Sequence, residues 1–569
     1  MRNAKGGAML NYLNAGRAAF VIAVLSFAPW LLSPNAAWAE GAQAAKAAEG
    51  AQGSTSAPGV RESAVAGMRV PQAAELPGEV PIGTEFPPDV LQRLKEQQAT
   101  RAPAAADVAG LQSDGTAAPA GNAPAANAPA PVSNFTGVTY TGWIPPDPHM
   151  AAGPSDLVVA VNSTIRIYNK SGGQLFNSTL LSWFAGVLPA NTAGISVFDP
   201  WVLYDQLSGR FIVLALAKRD SDQLSRILIA VSDNNTAAGN WCKWWLDARL
   251  NGSTNTTNWA DYTKVGVTSN AVVLSANMFA FGGGFQYVKM RFISKSKLYA
   301  TNCPALPWWD FWNLRNADNS AAFTVQPGHS YVGSTTGYGL NSYSGGGNRL
   351  TLWRYVTPNN INPNAPTLTR QATLTPAAYS LAPNAVQKGS GTAINTGDAR
   401  LLNLVQRGNG LWSTHTVACS WSGDPVTRSC IRWYQITPST STIVQQRSYG
   451  ASGLHYYYPA IVSNNAGSRG NAVIVFNRSG PNEYAGIRYT GRRSTDTVNT
   501  LQASAQLRAG QGCYVRLDSV GRNRWGDYNG VAVDPSNANR TWIFSEYAFG
   551  TSATCGNNVW RTHVGQVTW

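Results

Sequence analysis

Apolar and polar positions alternate in short runs through most of this chain, and they do so only from about Asn134 onward. Segments such as LVVAVNSTIRIY (157–168), RFIVLALAK (210–218), AVVLSANM (271–278), RLTLWRYV (349–356), IRWYQI (431–436) and TWIFSEY (541–547) are rich in β-branched and aromatic residues. Each is bounded by Gly, Asn, Ser or Pro. That is strand chemistry, and almost no stretch sustains the 3.6-residue period of an amphipathic helix. The pattern predicts an all-β fold.

The strands also fall into sets. Each set opens at Asp or Pro, enters a strand, turns at Gly or Asn, and runs on through two or three more strands. Asp147, Asp199, Asp261, Pro327, Asp398, Pro459 and Asp527 mark the openings, with gaps of 52, 62, 66, 71, 61 and 68 residues. Seven such units predict a single β-propeller of seven four-stranded blades over 134–569. The repeat is degenerate and leaves six or eight blades open. A ring must close, and SNFTGVTYTGW (133–143) and the terminal WRTHVGQVTW (560–569) both alternate. Residues 135–142 are therefore expected to pair with the final blade, removing two sheet edges together.

Ahead of this region the pattern disappears. Residues 40–133 are dominated by Ala, Pro, Gly and Gln, with Phe86 the one aromatic. Such a stretch cannot bury enough apolar surface to offset its conformational entropy, so it reads as a disordered Ala/Pro-rich spacer. PPDVLQRLKEQQ (87–98) is the one short helix it suggests. Residues 1–39 carry a basic start, the apolar run AAFVIAVLSFAPWLL and Ala37-Trp38-Ala39. This is the layout of a signal peptide, with cleavage after Ala39. The expected location is secreted, periplasmic or at the cell surface, with no transmembrane segment after cleavage.

All six cysteines lie beyond residue 134, which in an exported chain suggests disulfides. Cys419 and Cys430 flank one loop, and Cys242–Cys303 and Cys513–Cys555 are the economical remaining pairs. The chain carries +14. The spacer is net acidic, so the excess sits in the folded part and favours anionic partners such as an acidic glycan. A simply well-solvated basic surface explains the charge equally well. No block of like charges forms a nucleic-acid motif.

The segments PPDPHMAAGPSDLVVAVNSTIRIYNKSGG, FDPWVLYDQLSGRF, ADYTKVGV, IRYTGRR, RWGDYNGVAVDPSNANRTWIFSEYA and WRTHVGQVTW resemble a group of secreted bacterial β-propeller proteins of undefined function, some described as sialidase-like. The resemblance covers most of 134–569 and departs from the group at His149–Met150. It implies fold and export, and it supplies no reaction.

Several chemistries drop out on inspection. No phosphate-binding, dinucleotide, zinc-protease or serine-hydrolase motif is present, and the five His are dispersed. The folded part holds seventeen Asp but only Glu483 and Glu546. A sialidase-like hydrolase or lyase would draw on Glu546, Tyr528, Asp527 and Arg524, since glycoside cleavage needs paired carboxylates or a carboxylate-backed Tyr. The marker residues Asp147, Asp199, Asp261, Asp398 and Asp527 would gather at a propeller's axis. There they would suit a hard cation such as Ca²⁺, unless each caps its own turn two residues on. Trp244, Trp245, Trp308 and Trp309, in NWCKWW and LPWWDFWN, offer aromatic faces for sugar rings or a partner protein, unless they pack in the core. The resulting expectation is an extracytoplasmic β-propeller that needs no cofactor and binds a ligand or partner, with an anionic glycan foremost. A sialidase-like enzyme and a structural envelope or matrix component are the alternatives.

Overall fold

The computed structural model describes residues 49–52, 60–63, 110–115, 128–361, 364–464 and 470–569. All lie in one compact unit, Ala44–Trp569. The signal-like stretch 1–39 and the suggested helix at 87–98 lie outside the described residues.

The fold is an all-β propeller. Its unit is a four-stranded antiparallel meander, seen simply in His149–Ala152, Asp156–Val161, Thr164–Asn169 and Gln174–Thr179. By hydrogen bonding, five sheets of four or five strands stand apart: 149–179, 196–247, 326–374, 455–508, and 530–568 with 130–136. This corrects the expected seven separate sheets. Two further four-stranded meanders, 258–312 and 403–450, are fused in one eleven-stranded sheet. The link is His329–Ser330, which pairs in parallel with Val267 on one side and with Val405 and Gln406 on the other. Inner strands converge on the axis, so neighbouring meanders come within bridging distance there.

Closure uses both chain ends, a few residues earlier than expected. Ala130–Thr136 pairs antiparallel with Val559–Thr568, placing Phe135 opposite Val564 and Pro131 opposite Val567. The strand thus begins inside the stretch read as spacer. Three shorter pieces of that stretch also add to blade edges. Glu49–Gln52 pairs with Trp309–Trp312, Val60–Ser63 with Asn240–Lys243, and Leu111–Ser113 with Ser448–Gly450. An outer blade edge offers a row of open N–H and C=O groups, and any extended chain can satisfy them whatever its composition.

Blade faces stack on one another, so strands such as Gly410–Cys419 and Arg428–Thr437 are buried almost throughout. This is why many read as continuous apolar runs rather than strict alternation. The disulfides are Cys242–Cys303, Cys419–Cys430 and Cys513–Cys555, with Cα separations of 5.4, 5.9 and 4.9 Å. No described helix is long and apolar enough to cross a membrane.

Candidate functional site at the axial mouth

Near the start of the inner strands the backbone turns left-handed. Asp147, Asp199, Tyr262, Thr324, Gly397 and Tyr458 all have φ between 48° and 68°. For the five that are not glycine this costs on the order of 1 kcal/mol each. The strand register slips beside three of them, between Leu214 and Leu216 opposite Asp199, between Asp261 and Lys264, and between Tyr457 and Ala460. A bulge of this kind re-aims side chains, and here it turns them towards one end of the axis.

A relay of hydrogen bonds holds these turns together. Asp147 accepts from the Asp527 backbone N–H at 2.7 Å with one oxygen and from Asn162 Nδ2 at 2.7 Å with the other. Asn162 Oδ1 accepts from the Asp199 N–H at 2.8 Å, and the Asp199 carboxylate accepts from the Tyr262 N–H at 2.8 Å. Each carboxylate therefore caps the backbone of a neighbouring meander. Asp398 instead caps its own turn, accepting from the Arg400 N–H at 2.9 Å.

The expected gathering of aspartates is present, and cations lie within it. Arg400 grips Asp398 through two bonds of 2.8 and 2.7 Å, and its guanidinium lies 4.2 Å from the Tyr262 ring centre. Arg524 pairs with Asp527 at 3.0 Å. Lys264 is buried, its ammonium 3.5, 3.8 and 4.2 Å from the ring centres of Tyr262, Tyr528 and Trp201. These three cations already stand among the carboxylates. Among the described residues no three His, Cys, Asp or Glu side chains are grouped to hold a metal ion. Of the aspartates in the Ca²⁺ expectation, Asp398 and Asp527 are ion-paired with Arg400 and Arg524, and Asp147, Asp199 and Asp261 lie beside them.

Burial splits the acids. Asp147 is pushed well above the carboxylate range by burial and then by the Asp527 and Asp199 charges, and Asp261 by burial and then by Asp199 and Asp527. Burial raises Asp199 to about 6, with Lys264 opposing. At Asp527 burial also pushes upward, but Arg524, Arg400 and Arg522 outweigh it and hold the carboxyl below its usual value. Burial brings Lys264 down to about 7 against the pull of Asp199 and Asp527, and Arg400 down to about 9. Asp527 is also the exposed member, its side chain 25% accessible. It lines a narrow opening with Tyr262, Gly397, Asp398, Arg400 and Tyr458, of cavity volume about 10 Å³, space for about one water.

Of the residues named from sequence for catalysis, Asp527 reaches this opening and Arg524 holds it. Tyr528 and Glu546 do not. Tyr528 is buried and donates to the Pro200 carbonyl at 2.9 Å, as a strut between meanders. Glu546 is fully buried against Gly526, and neither carboxyl oxygen has a hydrogen-bond partner. Burial and then the Asp147 charge push its carboxyl well above the usual carboxylate range.

The tryptophans named for binding occupy strands, not loops. Trp244 and Trp308 are core residues whose indoles donate to Pro304 O and Asp310 Oδ2, so neither faces a ligand. Trp245 is half-buried under Arg226 at 4.0 Å, and Trp309 is half-buried in Trp308–Trp312. Sequence reasoning missed Lys264, Asn162, Tyr262, Arg400 and Tyr458. One signal was available, a lysine among the apolar residues of the strand segment NWADYTKVGV.

Fold and mouth together define a β-propeller with one end of its axis lined by paired charges. No protein-family model and no curated protein matches the chain. Solved structures do. An alpha-L-arabinofuranosidase of Fusarium graminearum, in complex with arabinobiose, is 8% identical with a TM-score of 0.35, covering 78% of this chain and 97% of the other. An alpha-L-arabinanase of Penicillium chrysogenum is 9% identical at 0.33, covering 78% and 98%. The Dos1 propeller is 9% identical at 0.29, covering 77% and 95%. At these values the likeness says nothing about substrate.

Proposed function

We propose that the axial mouth binds a saccharide, with glycans carrying acidic groups preferred. The carrying observation is the partly exposed, ionised Asp527 set beside the buried Arg400, Tyr262 and Tyr458 at one opening. Carboxylate acceptors alternating with guanidinium donors match the vicinal hydroxyls of a sugar, and charge-assisted hydrogen bonds are the strong ones. The network beneath holds these groups before a ligand arrives, which reduces the ordering cost of binding. The net charge of +14 steers anionic chains towards the protein. Calorimetric titration with neutral and uronic-acid oligosaccharides tests the reading. Binding that falls at least about tenfold in Asp527→Asn and in Arg400→Ala supports it, and no heat from any oligosaccharide overturns it.

Hydrolysis of a glycoside is the second reading, and one observation favours it. Asp527 is held ionised while nearby Asp199 and Asp147 are pushed up, and such divergent pairs mark acid and base assignments. In this reading Asp527, rather than Glu546, carries the chemistry. Turnover of chromogenic glycosides, lost in Asp527→Asn, separates catalysis from binding alone.

The wider setting is part of the same proposal. Counting the two fused meanders as blades gives a sevenfold ring, exported behind residues 1–39 and carried on the 40–133 segment. Three disulfides suit an oxidising compartment.

A further inference from the structure

Residues 110–115 bind the ring as a peptide ligand would. Leu111–Ser113 adds a parallel strand to the outer edge of Thr442–Gly450. Its ends are pinned by Ser448 N–H donating to Gly110 O at 3.0 Å and Asp114 N–H donating to Gly450 O at 2.7 Å. Side chains then read the segment. Gln112 makes a reciprocal pair with the Leu501 backbone, donating to its carbonyl at 2.5 Å and accepting from its N–H at 2.8 Å. Arg447 Nη2 donates to Leu111 O at 3.0 Å.

The anchor is Asp114, buried to 2%. Its carboxylate accepts from the Ser504 N–H at 3.0 Å, from the Ser504 hydroxyl, from Tyr456 Oη at 2.9 Å and from Arg478 Nη1 at 3.3 Å. All three residues belong to the 455–508 meander, whereas the strand pairs with the 403–450 meander. The groove therefore lies between two blades. At the other end Gly110 has open space where a side chain would stand. Backbone pairing that supplies affinity, with side-chain pockets that supply selectivity, is the logic of strand-addition recognition.

We propose that this interblade groove is a peptide-binding site selecting an extended Leu-Gln-Ser-Asp segment, and that residues 111–114 occupy it in cis. It is separate from the axial mouth and independent of the saccharide reading. The twelve residues 116–127 join the segment to Ala128, so the link back to the ring spans at most about 40 Å.

The test uses the full chain carrying Asp114→Ala and a fluorescent peptide, AGLQSDGT. Wild type, its groove filled, leaves the peptide's anisotropy unchanged. The variant binds it, and replacing the peptide's own Asp by Ala weakens binding about tenfold or more, the loss of a buried charged anchor. Hydrogen exchange gives a second readout. Protection of the Ser448 amide falls in the variant and returns on adding peptide. Wild-type dimers that the peptide dissolves would put a second copy's segment in the groove and overturn its occupation in cis. If Asp114→Ala does not melt cooperatively, Gln112→Ala goes through the same measurements. A cooperatively melting variant that ignores the peptide, or binds both peptides equally, overturns the proposal.

Discussion

The same inner strands build two different environments along one axis. At the mouth, Asp147, Asp199, Asp261, Asp398 and Asp527 meet Lys264, Arg400 and Arg524. A second cavity, of about 40 Å³, is lined by Met150, Val202, Val265, Val405 and Val533 together with His149, His329, Gln326 and Asn403. Three to seven residues along the chain separate the two linings. At the mouth Asp147 and Asp199 accept a neighbouring meander's N–H, and Asp398 and Asp527 pair with Arg400 and Arg524, whereas neutral side chains line the second cavity. Buried charge is tolerated where partners are fixed and costs heavily where they are not.

Breaking one partner should therefore hurt the mouth more than trimming the second cavity. Arg524→Ala removes the ion-pair partner of Asp527, leaving it the more distant charges of Arg400 and Arg522, and is expected to cost about 3–5 kcal/mol. Val533→Ala at the second cavity should cost about 2 kcal/mol. Urea unfolding midpoints at constant slope compare them, and an equal or larger loss at Val533 reverses the picture.

Acid should act on the two environments with opposite sign. Asp199 has a raised folded-state pKa of about 6, so the stability it contributes is complete below about pH 4 and is lost as pH rises to about 6. Burial lowers His329 to about 3, with Asp205 opposing and Arg407 and Lys295 adding. Its contribution is complete above about 6.5 and is lost as pH falls towards 3. Between pH 6 and 4, Asp199→Asn should remove a gain and His329→Gln a loss. Melting temperatures of both variants across that range check the signs, and parallel curves would contradict them.

Asn162→Ala cuts the relay between Asp147 and Asp199 without removing a charge, and about 1–3 kcal/mol should go with it. If its melting temperature matches wild type, the relay does not organise the mouth. The smallest effect concerns metal. With Lys264, Arg400 and Arg524 among the carboxylates, EDTA or added Ca²⁺ should shift the melting temperature by less than about 1 °C, since only a ligand bound to the folded state raises it. A rise of several degrees with Ca²⁺ would restore the cation site.

Strand chemistry, the disulfide partners and the shared closing blade were all legible along the chain, because period-two patterning, cysteine order and the need to close a ring are local or topological facts. The gathering of the marker aspartates was legible too, through their recurrence at each unit's opening. Their employment was not. Nothing in DPH or FDPW says that a carboxylate will cap the next meander's backbone, or that a lysine two residues beyond Tyr262 will lie against three aromatic rings. The same holds for Trp244 and Trp308, whose dense spacing looked like a ligand surface until stacked blades covered them, and for Asp114, read as spacer and found as an anchor. Residue type and rhythm determine what each strand can bury. Which groups become partners depends on distances between meanders roughly 50 to 70 residues apart, and only the closed ring sets those.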